Sequence, residues 1–293
     1  MKLKAWIEAM RLRTLPVSVA GVIAGTACAC LEGRFNAVPA LICLAFAVIA
    51  QIASNFANEY YDFRNGLDRK GRDGFRRGVT EGDISPESMK RATFILLAAD
   101  ALLGCSLLLF GEWWLIPVGI AIALFAVGYS TGPYPLSHHG LGDIAVVIFF
   151  GIVPVTLTAY LQTQTWDVAR IALPISVAIG LMGANVLIVN NYRDADDDRQ
   201  VNKRTTVVIF GRSVMSTVYL LSGLAAIIIT TWSLRDSFSA WWLTAPAIIA
   251  AVHIHLWKGI ISHRGSALNP YLGKTAMLLL ATSVILLVAC VAK

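Results

Sequence analysis

The chain of 293 residues is 57% hydrophobic and only 14% charged, with a mean hydropathy of +0.67. A soluble domain of this size needs far more charged surface, so that class is excluded. The net charge of +6 is a weak argument for nucleic acid, and no such partner is expected; where the charge falls says more.

Apolar runs recur at 15–31, 38–60, 92–110, 113–129, 142–161, 170–191, 214–232, 241–257 and 274–291. Each has about the length that crosses a bilayer core of roughly 30 Å. The runs are continuous in Leu, Ile, Ala and Val, so they read as helices and not as the alternating strands of a barrel. The expectation is an all-α, polytopic bundle of nine transmembrane helices forming a single domain over 1–293. The basic N-terminus lacks a cleavage region and further spans follow it, so the first run is read as a helix and not a signal peptide. The five cysteines (Cys28, Cys30, Cys43, Cys105, Cys290) lie in apolar runs and read as small buried hydrophobes.

With the N-terminus placed inside, the segments on that side hold all but four of the 24 Lys and Arg residues; Arg34, Arg170, Arg235 and Lys293 fall outside. The positive-inside rule then gives an N-in, C-out topology. The inner-face loops are 61–91, 129–141, 192–213 and 258–273. The outer turns are short, so a site is expected at the cytoplasmic face.

The second and sixth spans end in related stretches, NFANEYYDFRNGLD (55–68) and NNYRDADDDRQVNKR (190–204). Asn55, Asn58 and Asp62 match Asn191, Asp194 and Asp198, both sets at i, i+3, i+7. That spacing puts three oxygen-bearing side chains on one helical face. Both helices run outward-to-inward, so the two faces end at the same side of the membrane. Oxygen-only donors suit a hard divalent cation, and Mg²⁺ uses one or two protein carboxylates plus substrate phosphates. Arg64, Lys70, Arg72, Arg76 and Arg77 follow the first motif; Lys203 and Arg204 follow the second. Metal and cations around a polyphosphate make a clamp for a departing diphosphate. One such motif alone reads equally as solvated charge at a helix end; two with matched spacing are harder to explain that way.

These residues resemble the UbiA superfamily of intramembrane aromatic prenyltransferases, nine-helix bundles with an Asn-Asp-x-x-Asp-type motif on the second helix and an Asp-x-x-x-Asp-type motif on the sixth. The first reads here as Asn58-Glu59-x-x-Asp62 with Asp68 further on, the second as Asp194-x-x-x-Asp198. RLRTLP (11–16), GPYPLSHHGLGD (132–143) and LNPYLGKTA (268–276) make the chain look most like the branch acting on 1,4-dihydroxy-2-naphthoate in menaquinone biosynthesis. There are two departures: Glu59 stands where the family usually has Asp, and 71–85 differs from the usual Gly-Pro-x-Arg pattern.

The resemblance implies that Asn58, Asp62, Asp68, Asp194 and Asp198 hold Mg²⁺, with Asn58, Asp62, Asp194 and Asp198 catalytic. It implies that Arg64, Lys70, Arg72, Arg77, Lys203 and Arg204 bind the diphosphate. The partners are then a polyprenyl diphosphate, an aromatic acid such as 1,4-dihydroxy-2-naphthoate, and the lipid of a bacterial cytoplasmic (inner) membrane. Asn55, Tyr134, His138 and Asp143 are candidates for handling the aromatic acid. The His138–His139 pair also reads as merely solvated, and Asp143 as a dipole partner at a helix start. Asp100, mid-span, reads as a functional intramembrane carboxylate or, given its depth from the motifs, as a hydrogen-bonded structural one, and His253 and His255 read as packing or interfacial residues. Trp113, Trp114, Trp241 and Trp242 are expected in an aromatic belt. Two rivals stand: another acceptor such as 4-hydroxybenzoate, and a cation-coupled secondary transporter, whose ion sites usually lie near the midplane on broken helices.

Overall fold

Each apolar run becomes a helix in a computed structural model, which describes residues 2–71, 74–235, 237 and 240–292. In chain order the helices are α1 (Lys2–Ala9), α2 (Leu15–Leu31), α3 (Ala37–Arg64), α4 (Gly78–Glu81), α5 (Pro86–Ser106), α6 (Leu115–Gly128), α7 (Gly142–Val146), α8 (Val153–Thr163), α9 (Ala169–Gln200), α10 (Thr206–Ser233), α11 (Thr244–Ser262) and α12 (Asn269–Val291). Their starts carry local signals: the Asn36, Ser85 and Thr205 side chains accept from Val38, Ser88 and Val208 N–H groups, and α2, α5 and α12 have Pro in the first turn. A π-helical turn, Val147–Ile152, joins α7 to α8 into one apolar segment. Among the described residues, seven helical segments are long and apolar enough to cross a membrane, and α2 and α6 are shorter apolar helices.

Helix boundaries depart from the sequence expectation where polar residues find partners inside the protein. α9 continues to Gln200, so the expected loop 192–213 is mostly helix; Arg193, Asp194 and Asp198 are buried in its last turns. Gly211, at φ 82°, kinks α10. The expected loop 61–91 holds α4 and the start of α5, and 258–273 holds the end of α11 and the start of α12. The N-terminus adds α1, whose Ala5 and Ala9 pack with Phe56, Val79, Ile84 and Met89 in a satellite core.

α9 is the axis of the bundle, packed on α2, α8, α10 and α12, while α3 packs on α2, α5, α6 and α8. Helices in lipid associate by close packing, not by apolar burial, so small residues matter where backbones meet. A Cβ on Gly151 would lie 2.4 Å from Gly180 Cα and 2.5 Å from the Ser176 carbonyl, so the π turn and α9 touch backbone to backbone. Polar ties add to this: Gln162 Nε2 donates to Thr26 Oγ1 at 3.1 Å, and Asn185 Nδ2 to the Tyr219 carbonyl at 3.1 Å. His253 stacks on Tyr219 and contacts its carbonyl at 3.1 Å, the packing role expected for it. Trp113 is exposed, but Trp242 is buried and so is no belt residue.

Candidate active site

The C-terminal turns of α3 and α9 come together at one end of the bundle. Between them lies a polar cleft of about 980 Å³, lined by Asn55 and Asn58 from α3, by Asn190, Asn191, Asp194 and Asp198 from α9, and by Arg77 and Lys203. The i, i+3, i+7 spacing thus brings Asn55 and Asn58 of the first motif and all three residues of the second to one cavity. Asp62 and Asp198 share an adjoining small pocket with Arg69, Asp197 and Lys203.

The cations sort into those that reach the site and those that do not. Asp62 is 2% exposed; its Oδ2 lies 3.8 Å from Arg77 Nη2 and 3.9 Å from Lys203 Nζ. Arg77 Nε is 3.5 Å from Asp68 Oδ2. Arg69 pairs with Asp197. Arg64, Lys70 and Arg204 are exposed and line neither pocket. Arg64 is two residues past Asp62, about 200° round the helix. Arg204 follows Lys203 in the turn after α9, where the Thr205 N–H donates to the Lys203 carbonyl at 3.2 Å, and it forms a bridge with His139. Arg72 lies outside the described residues.

Asp194 is held by Arg193, whose Nε and Nη2 donate to the two carboxylate oxygens at 2.7 and 2.8 Å. Arg193 Nη1 also donates to Asn269 Oδ1 at 2.9 Å, fixing α9 to the start of α12.

Asn55 lines the cleft, and its amide donates to the Met10 carbonyl at 3.0 Å, tying down the turn between α1 and α2. Tyr134 is 56% exposed and stacked on His139, and it does not line the cleft. Thr206 Oγ1 donates to Asp143 Oδ2, so Asp143 helps join α7 to α10. His138 is buried at Nε2 with no hydrogen-bond partner there. Burial and then the Lys203 ammonium push its pKa below the ordinary histidine value. Tyr129, from the 129–143 loop, lines the cleft, as do Arg11, Thr14 and Asn190, which were not among the residues singled out from sequence as site candidates. Only the phase of Asn190, one turn before Asp194, was readable there.

Asn58 Oδ1 and Asp62 Oδ1 are buried without hydrogen-bond partners. Buried orphan oxygens of this kind need a cation or water to satisfy them, and oxygen donors fit a hard divalent ion. Among the described residues no three His, Cys, Asp or Glu side chains converge on one point.

The cleft continues into an apolar chamber of about 940 Å³ through the shared residues Gln51, Ser54, Phe125 and Phe150. Phe46, Leu107, Val118, Ile122, Phe149 and Leu161 form much of its wall. Asp100 lines a neighbouring pocket of about 700 Å³. Its Oδ1 has no hydrogen-bond partner, so the expected hydrogen-bonded role is not what this oxygen plays.

An all-helical membrane bundle with a charged head cleft opening into an apolar chamber is the architecture of an enzyme for amphipathic substrates. The UbiA prenyltransferase family model matches residues 18–279, and the chain belongs to that family. It is 40% identical over 215 residues to the 1,4-dihydroxy-2-naphthoate octaprenyltransferase of Escherichia coli, covering 71% of this chain and 69% of that one. It is 32% identical to the enzyme of the same name from Haemophilus influenzae, over 97% of this chain and 94% of the relative. Among solved structures, a UbiA homolog from Aeropyrum pernix superposes with a TM-score of 0.70 at 18% identity, covering 94% of this chain and 97% of that one. One from Archaeoglobus fulgidus, bound to GPP and Mg²⁺, gives 0.65 at 16% identity, covering 95% of this chain and 99% of that one. The transporter reading finds no support in these relatives.

Proposed function

We propose that the protein transfers a polyprenyl chain from its diphosphate to 1,4-dihydroxy-2-naphthoate, releasing diphosphate and CO₂ and giving demethylmenaquinol. The observation that carries this is the polar cleft joined to the apolar chamber: charge for a diphosphate at one end, hydrocarbon walls for a tail at the other. The naphthoate acceptor comes from the relatives' names.

The residues divide the work. Arg77 and Lys203 meet the diphosphate oxygens, releasing Asp62 from its present ion pairs as they do so. Asn58, Asp62, Asp194 and Asp198 would hold a divalent cation, with Asp68 holding Arg77 in place. When bound, the cation supplies positive charge against the diphosphate as the allylic C–O bond breaks. The chamber walls exclude water from the allylic carbon. An electron-rich ring carbon forms the new C–C bond, the diphosphate leaves with the pair from the C–O bond, and loss of CO₂ returns its bonding pair to the ring.

The orientation belongs to the same reading: nine spans, N-terminus in the cytoplasm and C-terminus outside, with the cleft at the cytoplasmic face of a bacterial inner membrane. Reporter fusions at the two termini test it, and equal labelling from both sides would remove it. The activity is tested with detergent-purified protein, Mg²⁺, a labelled polyprenyl diphosphate and a panel of aromatic acids. Magnesium-dependent product with 1,4-dihydroxy-2-naphthoate is expected. No prenylated product from any acid would overturn the function, and product from 4-hydroxybenzoate alone would overturn the acceptor.

A further inference from the structure

Glu59 follows Asn58 on α3 and so points about 100° round the helix from it, toward the segment that carries Arg77. Its side chain is buried, at 1% exposure, and its Oε1 accepts a hydrogen bond from the Val79 N–H at 3.0 Å. Val79 is in the first turn of α4, and Arg77 immediately precedes that helix in extended backbone (φ −112°, ψ 113°). From there the Arg77 guanidinium reaches back to Asp62 and Asp68. A bond to Val79 therefore fixes the chain two residues from the cation that faces the cleft.

We propose that Glu59 is a positioning residue: by anchoring the first turn of α4 it sets where Arg77 stands against Asp62 and the diphosphate. The inference rests on the diphosphate reading of the cleft. It also joins the two departures seen in the sequence. Glu59 is one methylene longer than the usual Asp, and the bond that uses this length ends in the atypical 71–85 stretch. Gly78, between Arg77 and Val79, packs against Ile84, where a Cβ would lie 2.9 Å from Ile84 Cδ1.

The segment has other attachments. Phe75 lies beneath the Arg193 guanidinium at 4.9 Å and the Arg13 guanidinium at 5.1 Å, and Val79, Ile84 and Met89 sit in the satellite core with Ala5, Ala9 and Phe56. Loss of the Glu59 bond therefore leaves α4 docked and loosens the Arg77 side chain. That separates positioning from folding.

The test is steady-state kinetics on Glu59→Ala, Glu59→Asp, Glu59→Gln, Arg77→Ala and the double variant Glu59→Ala/Arg77→Ala in purified full-length protein, with thermal stability measured alongside. Glu59→Ala and Glu59→Asp should raise KM for the prenyl diphosphate about 10-fold, the loss of roughly one charge-assisted contact. Their kcat and acceptor KM should stay near wild type. Glu59→Gln keeps an acceptor oxygen and should restore the wild-type KM. The double variant should be no worse than Arg77→Ala, because residues acting as one unit are non-additive. Additive effects, or a wild-type KM in Glu59→Ala or Glu59→Asp, overturn the proposal while leaving the function intact. A wild-type KM in Arg77→Ala would instead overturn the diphosphate reading of Arg77.

Discussion

Replacing Asp62 by Asn removes one charge at nearly constant volume, and the structure says how turnover and stability should separate. Asp62 Oδ2 faces two cations, Arg77 at 3.8 Å and Lys203 at 3.9 Å. At an effective dielectric of about 20, a unit pair at this separation is worth roughly 4 kcal/mol before desolvation is subtracted. Desolvation of a carboxylate this deeply buried cancels much of it. Arg77 also keeps Asp68 at 3.5 Å, so the loss falls short of the ~3–5 kcal/mol seen when a buried charge is fully orphaned. We expect a stability cost of about 1–2 kcal/mol, a few degrees in Tm. Turnover loses a ligand for the cation and the anionic counterpart of the clamp, and should fall about 10³-fold, by analogy with removal of a single charge-stabilising group in other active sites. The assay is Mg²⁺-dependent transfer from a labelled polyprenyl diphosphate, with thermal unfolding in the same detergent. Turnover within tenfold of wild type would refute the placement of Asp62 in the mechanism. Activity lost only in proportion to folded protein would reduce it to a structural residue.

Lys203→Met should raise KM for the prenyl diphosphate by about 10- to 100-fold, one lost charge-assisted contact. The adjacent Arg204→Met should change it less than about twofold, since that side chain lies outside both pockets; equal effects would show that the loop acts only through bulk charge. Gly151→Ala places a Cβ against the α9 backbone and should cost more than about 1–3 kcal/mol, read as loss of monodisperse protein in detergent; wild-type yield and Tm would refute the backbone contact. His138 has a lowered pKa in the folded protein, so the unfolded chain takes up its proton first as pH falls. Stability should therefore drop as pH falls through about 6.5, and level off below the folded value. His138→Gln should flatten that part of the Tm–pH curve, and an unchanged slope would count against the buried, Lys203-facing placement.

The helices and the pairing of the motifs were legible in sequence for one physical reason: both are periodic. Apolar runs report their own length, and a 3.6-residue period carries Asn55, Asn58 and Asp62 onto one face whatever surrounds the helix. The same period carries Arg64, two residues past Asp62, to the other side of α3, whereas no period distinguishes Lys203 from Arg204, which sit in the turn between α9 and α10. What the sequence could not carry were contacts between segments that no period relates. Arg77 reaches Asp62 only because α4 docks on α1 and α3, and that docking depends on Ala5, Phe56 and Val79 meeting in the satellite core. Arg11 lines the cleft because the α1–α2 turn folds over it, held by Asn55 on the Met10 carbonyl. The cleft is thus assembled in two stages. Helical periodicity sets out the carboxylates, and tertiary docking of the intervening segments brings the cations to them. Substitutions in the first group should act on turnover, as expected for Asp62→Asn, and those in the second on diphosphate affinity, as expected for Glu59 and Lys203.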